Sequence, residues 1–300
     1  MHQGEIIANK DNQNIIDCEN CGFPHVYPYP SQEKTQLLYS EEYYQKNRAD
    51  YINNLKEDRE WWENLYQERI NMIQKYINTT KPVKVLDIGT GAGYFLNVAK
   101  KNQWMELGLE PSQMASFYAK EQGLNILQEF YNKEISEKIG KFEVIHMNHV
   151  LEHMIQPKEI LNLIYDNLAD GGIFCVAVPN DFNELQEIAS KINHDNQWWV
   201  TPSEHINYFS FNNLKKLLNN CGFEILEETT SFPMEMFILM GDNYIAENSL
   251  GRGCHFKRKE FEKKLFEYNS HLKQKLYKAL ATQELGRDVI LIVRKSGYND

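Results

Sequence analysis

The chain has 300 residues, enough for one large domain or two small ones with an ample core. Its formal charge of −10 argues against a nucleic-acid substrate, which calls for a basic stripe. No apolar run approaches a membrane span, and the N-terminus lacks a signal peptide's apolar segment. Five cysteines, an odd number spread thinly, do not make a disulfide framework, so the chain reads as a soluble cytoplasmic protein.

In chain order, residues 1–35 read as a polar, loop-like cysteine-knuckle segment. Residues 36–80 read as a helical cap, free of Gly and Pro from about 40 to 77 and loaded with Tyr43, Tyr44, Tyr51, Trp61, Trp62 and Tyr66. Strands then alternate with helices. Strands are expected at 83–87, 105–110, 125–127, 142–147, 173–178, 223–226 and 288–293. Helices are expected near 92–100, at 112–122, at 158–170 ending on Gly171-Gly172, and at 212–220. The alternation predicts an α/β fold, a doubly wound Rossmann-like sheet of seven strands formed by 81–228 and 287–300. Residues 229–286 read as a helical insertion covering the active-site edge, with a basic helical run at 256–277.

The richest segment is Asp87-Ile-Gly89-Thr-Gly91-Ala-Gly93. It sits between a buried strand and a helix, where glycines allow a sharp turn and close approach of a ligand. A dinucleotide fingerprint fails, because its last glycine would fall on Tyr94 or Leu96, and no P-loop Lys-Ser/Thr follows. An acid ahead of the glycines suits a cationic ligand better than a phosphate. One strand later Glu110, 21 residues beyond Gly89, stands where a carboxylate accepts two ribose hydroxyls, the plain alternative being a solvated strand-end glutamate; Pro111 and Ser112 follow.

The Asp-x-Gly-x-Gly-x-Gly pattern resembles motif I of the class I S-adenosylmethionine-dependent methyltransferases. That resemblance covers about 83–226 plus the last strand and implies S-adenosyl-L-methionine as cofactor, held by Asp87, Gly89, Gly91, Gly93, Glu110, Pro111, Ser112 and Asn148. The run Val150-Leu-Glu152-His153 resembles the segment after the fourth strand in ubiquinone-type and sugar-type members, where the stretch lines the cofactor and the later Glu-His anchors the following helix. His149 is a candidate substrate contact, with a hydrogen-bonded structural histidine as the plain alternative for it and for His153.

Glu204-His205-x-x-Tyr208-Phe-Ser210 is similar to the segment that supplies acid/base groups in sugar C-methyltransferases. Methyl transfer mainly needs alignment of nucleophile and methyl, and a hydroxyl or carbon acceptor must also lose a proton. The resemblance makes His205 the base, oriented by Glu204, with Tyr208 nearby; the alternative is that His205 braces the loop and Ser210 caps the next helix. Cys18-x-x-Cys21 has zinc-knuckle spacing, with His25 and His2 as third and fourth ligands. The sugar branch carries an N-terminal zinc module with two Cys pairs, matched here only in its second half; otherwise the cysteines form a buried turn. Tyr43 or Tyr44 is a weaker acceptor candidate through the same resemblance.

Glu235 lies in a mostly apolar stretch of the insertion that is core by default, and Lys257, Arg258 and Lys259 read as a solvated helix face or a diphosphate contact. The expected activity is methyl transfer to a small polar acceptor, a sugar or nucleotide-sugar, with oxygen, nitrogen and carbon all open as the methylated atom. The rival acceptor is a quinone or aromatic metabolite, which the aromatic helix would suit. A rival of another class is a non-catalytic binding or scaffold protein. No nucleic-acid or membrane partner is expected, and oligomeric state is open.

Overall fold

A computed structural model of the chain describes residues 2–31, 33, 35, 56–79 and 81–297. Tyr43, Tyr44 and Tyr51 lie outside them. Backbone contacts divide the chain into two compact units. One comprises Met1–Tyr29, Ala177–Lys216 and Glu227–Leu291; the other comprises Pro30–Val176, Leu217–Leu226 and Ile292–Asp300.

The N-terminal segment is not loop-like. β1 (Gly4–Lys10), β2 (Gln13–Cys18) and β3 (Phe23–Tyr27) form an antiparallel sheet in the order β1-β2-β3. Asp11 and Asn12 both take positive φ, 52° and 58°, which makes the two-residue turn that matches strand twist. Ile15 and Val26 are fully buried and pack with Trp199, Val200 and Tyr208.

The central sheet follows the expected alternation. Its strands are β4 (Lys84–Ile88), β5 (Met105–Leu109), β6 (Ile126–Leu127), β7 (Phe142–Asn148), β8 (Leu168–Pro179), β9 (Phe223–Thr229) and β10 (Asp288–Lys295). They are ordered β6-β5-β4-β7-β8-β10-β9, with β5 and β7 parallel to β4 and β6 parallel to β5. The helices are α1 (Arg59–Gln74), α2 (Tyr94–Lys101), α3 (Gln113–Glu121), α4 (Lys133–Ile139), α5 (Pro157–Asn167), α6 (Glu184–Ile192), α7 (Phe211–Asn220), α8 (Glu235–Leu239) and α9 (Ser249–Thr282).

α4 and the end of α5 depart from expectation. α4 was not anticipated; it is one short amphipathic turn pair, started by Asn132, whose side chain accepts from the Ile135 N–H at 3.0 Å. α5 stops at Asn167 rather than running to the glycines, because Leu168 is already extended and begins β8. Asn167 is buried and ties the end of α5 to α4: its Nδ2 donates to the Ser136 and Gly140 carbonyls, and its Oδ1 accepts from the Tyr131 and Ser136 hydroxyls.

The aromatic load of α1 goes into packing. Tyr66 is buried, stacks on Trp62 and meets Phe95 edge-on, in one cluster with Ile70, Ile73, Val85 and Ile292. In α9, Arg258 is buried rather than solvated; its Nε donates to Glu262, which also accepts from the Tyr277 hydroxyl at 2.7 Å. Among the described residues no helix is long and apolar enough to cross a membrane.

Candidate functional site

β4 delivers Asp87 and then turns through the glycines. The Gly89 and Thr90 N–H groups both donate to the Leu109 carbonyl, which ties the turn to the end of β5. Gly89 and Gly93 have φ of 71° and 79°, a region that disfavours side chains. A Cβ on Gly89 would lie 2.4 Å from Val150 Cγ2, and one on Gly93 2.3 Å from Leu124 Cδ1. At these two positions the missing Cβ makes room for the chain itself rather than for a ligand.

Glu110 follows β5 directly and is 3% exposed. Its Oε2 accepts from the Gly91 N–H at 2.8 Å and its Oε1 from the Ser112 N–H at 2.9 Å, leaving one lone pair on each oxygen. Burial pushes its pKa up to about 7; the two N–H donors lower it in part, and the Asp87 charge raises it. Ser112 turns its hydroxyl to the Ala115 N–H as the cap of α3, and Pro111 is half-buried between them.

Asp87 is cross-strand neighbour to His146 on β7. Its Oδ1 accepts from His146 Nδ1 at 2.7 Å and its Oδ2 from the Thr90 hydroxyl at 2.6 Å. Arg69, from α1, donates to His146 Nε2 at 3.2 Å and to Asn148 Oδ1 at 2.7 Å. The partners fix the tautomer: His146 carries its proton on Nδ1 and accepts at Nε2. Burial lowers its pKa, the Asp87 carboxylate opposes that, and the imidazole is neutral. His146 also stacks on Phe95 at 3.7 Å between centroids.

His149 follows in left-handed geometry, φ 54°, and is exposed, with Nδ1 3.4 Å from a carboxylate oxygen of the fully buried Glu152. His153 Nε2 stands 3.8 Å from the same oxygen.

In the other unit, Glu204 and His205 close a turn in which both backbone N–H groups donate to the Thr201 carbonyl. The following residues join the N-terminal sheet. The Val26 N–H donates to the Ile206 carbonyl and the Tyr208 N–H to the Pro24 carbonyl, each at 2.9 Å, and His25 bridges Asn207. Tyr208 is buried among Ile15, Val26, Trp199 and Val200; burial, with Asp181, raises its phenol far above the ordinary value. His205 stands edge-on to it at 6.5 Å.

On the same small sheet, His2, Cys18, Cys21 and His25 bring one ligand atom each within 4.8 Å of one another. His2 Nδ1 lies 3.4 Å from Cys21 Sγ and 3.7 Å from Cys18 Sγ. His25 donates from Nδ1 to the Val26 carbonyl at 2.8 Å, so its buried Nε2 presents a lone pair with no partner among the described residues. Burial lowers the His25 pKa and keeps it neutral. Tyr29 stacks on His25 at 4.3 Å.

A family model described as "Methyltransferase domain" matches residues 54–228. The chain belongs to that family. The resemblance to class I S-adenosylmethionine-dependent methyltransferases is thereby borne out. The chain is 26% identical over 195 residues to a ubiquinone biosynthesis O-methyltransferase of Histophilus somni, a match covering 55% of this chain and 82% of that one. It is 23% identical over 166 residues to the C-methyltransferase NovU of Streptomyces niveus, covering 54% of this chain but 38% of NovU. In fold it is similar to the magnesium protoporphyrin IX methyltransferase of Synechocystis PCC 6803, solved with bound SAH. That likeness has a TM-score of 0.53 at 12% identity and covers 89% of this chain and 100% of that one.

Within this methyltransferase domain the structure brings Asp87, Gly89, Gly91, Glu110, Ser112 and Asn148 to the carboxyl ends of β4, β5 and β7. Sequence reasoning missed Arg69, Thr90 and His146. His146 carried a signal in the parallel register that sets it beside Asp87; Arg69, on a helix outside the sheet, carried none.

Proposed function

We propose that the chain is a methyltransferase that binds S-adenosylmethionine at the β4–β5–β7 edge and methylates a small polar acceptor of the sugar or nucleotide-sugar class. The residues fit that cofactor: the free lone pairs on Glu110 suit a ribose diol, and the Asp87–His146–Arg69–Asn148 chain fixes the neighbouring polar surface. S-adenosylmethionine supplies an electrophilic methyl on a sulfonium. Glu110 holds and orients hydroxyls, with Pro111 and Ser112 shaping the strand end, and Asn148 is held in place by Arg69. His205 takes the proton of the acceptor with its imidazole, Glu204 orients it, and His149 is a further contact on the acceptor side. Tyr208, deep in its cluster, supports that segment and keeps its own proton.

One observation carries the acceptor reading. The Cys/His module and the segment that follows Glu204–His205, features the resemblance draws from the same sugar-modifying branch, are joined by a backbone ladder between Pro24–Val26 and Ile206–Tyr208. The same module supports a structural zinc held by Cys18, Cys21, His25 and His2, since tetrahedral ligands at zinc distances stand less than ~4 Å apart and the spacings about His2 meet that. The alternative acceptor, a quinone or other aromatic metabolite, rests on the Histophilus relative. It loses the support of the α1 aromatics, since Trp62 and Tyr66 are engaged in packing. Five unpaired cysteines fit a reducing, cytoplasmic setting.

The test is calorimetry with S-adenosylmethionine and S-adenosylhomocysteine on wild type, Asp87→Ala and Glu110→Ala, then transfer assays with nucleotide-sugars and quinols. Tight binding lost in folded variants is expected. His205→Ala should keep S-adenosylhomocysteine affinity and lose about 10²–10⁴-fold in transfer rate. A wild type that binds neither ligand would sink the cofactor reading, and transfer to quinols alone would replace the sugar.

A further inference from the structure

Glu235 opens α8 and is 1% exposed, yet neither carboxyl oxygen has a hydrogen-bond partner among the described residues. Such a group is costly to leave bare, by about 1–3 kcal/mol. Beside it the Tyr244 hydroxyl is also buried and makes no bond of normal geometry, although it leans toward the Arg287 guanidinium. Met234 and Phe237, which flank Glu235, pack with Tyr244 and Cys254, so both groups stand on one fixed cluster.

Arg287 immediately precedes β10, and its backbone is pinned on both sides. Its carbonyl accepts from the Asn180 N–H at 2.9 Å, and its N–H donates to the Ser231 carbonyl at 3.3 Å. The Asn180 side chain holds the preceding turn through the Glu284 and Gly286 carbonyls. Arg287 keeps solvent-accessible surface while Glu235, Asp288, Tyr244 and Asp181 act on its charge. Burial alone would lower its pKa; Glu235, Asp288, Tyr244 and Asp181 together outweigh that and hold it cationic. Burial, then Glu235, raises the Tyr244 phenol, which keeps its proton and can donate.

We propose that Glu235, Tyr244 and Arg287 form an acceptor subsite that reads a vicinal diol. One carboxyl group with two bare oxygens accepts from two adjacent hydroxyls, while the guanidinium and phenol donate back to the hydroxyl oxygens. The balance of charge sets what the subsite refuses. Three acids face one arginine, so a phosphoryl group is disfavoured there and a neutral or amino-bearing diol is favoured. The inference rests on the reading of the chain as a methyltransferase of small polar acceptors and deepens it. The diol can come from a sugar or from a catechol ring, and the two are told apart by the probes.

The full chain, saturated with S-adenosylhomocysteine, is titrated by saturation-transfer NMR and calorimetry with methyl hexopyranosides, their monodeoxy analogues, catechol, phenol and inorganic phosphate. Binding is expected for one diol class with a Kd at or below about 10 mM, and not for its monohydroxy analogue or for phosphate. Glu235→Gln and Arg287→Met should each weaken that binding about tenfold or more, with Tyr244→Phe a milder loss. S-adenosylhomocysteine affinity, read in the same samples, should be unchanged and reports that the variants fold. Three results would overturn the subsite: no diol bound, monohydroxy analogues bound equally well, or diol affinity indifferent to Glu235→Gln. Failure of wild type to bind S-adenosylhomocysteine strikes the parent reading, whereas diol binding is scored without any transfer.

Discussion

Glu110 shows how one buried carboxyl group can pull stability and binding in opposite directions. With its pKa raised to about 7, the folded chain holds a proton that the unfolded chain releases above the ordinary carboxylate range. Stability from this group is therefore highest below about pH 4.5 and declines as pH rises towards 7. Ribose binding has the reverse slope, because accepting two hydroxyls needs the ionised group. Between pH 7 and pH 5, S-adenosylhomocysteine affinity should fall by up to about tenfold per unit while the contribution to unfolding free energy from this group rises. Glu110→Gln should flatten both slopes; a wild-type affinity independent of pH over that window would refute the assignment. At the same scale, His146 is removed from acid/base work by its neighbours: Asp87 takes its proton in a hydrogen bond, and Arg69 occupies its lone pair.

Among elements, the small N-terminal sheet has the largest reach for its size. If zinc sits among His2, Cys18, Cys21 and His25, chelation or a Cys18→Ser/Cys21→Ser pair should remove about one zinc per chain and lower Tm, by ~2–4 °C for each kcal/mol lost. Transfer should drop more than S-adenosylhomocysteine binding, since β3 carries the residues beside His205. A metal-free wild type with undiminished transfer would leave the cysteines as a packing turn. This sheet was also the least legible part of the fold. Its signals were present, in the Asp11-Asn12 turn and the paired Ile15 and Ile16, but the flanking polar residues hid them. The β4 turn, by contrast, could be read residue by residue, because Asp87 and the glycines sit in one short strand–turn–helix segment whose geometry is local. α4 escaped notice because it has too few apolar positions to show a period, and the end of α5 because Gly171-Gly172 looks like a helix stop. Arg69 and Arg287 could not be found from sequence at all. Arg69 acts on groups more than seventy positions away and Arg287 on groups more than forty away, and nothing local to either residue marks that distance.

At the scale of the molecule, the last strand made is an inner one. β10 lies between β8 and β9, and Val289, Leu291, Ile292 and Val293 are fully buried. At about 1.5–3 kcal/mol per buried side chain, those four residues approach or match the ~5–15 kcal/mol by which a domain is stable. A chain ending at Gln283 should therefore fail to give a cooperative melt by circular dichroism, and a sharp transition would show that β8 and β9 manage without it. The ladder between Pro24–Val26 and Ile206–Tyr208 carries a different lesson, one for anyone recombining such enzymes. Residues 2–29 and 198–209 are far apart in the sequence but share this ladder, and should exchange only as one cassette. A graft that moves either half alone strands the Val26 and Tyr208 N–H groups in a buried seam, so new acceptor preferences should be sought by exchanging the two together.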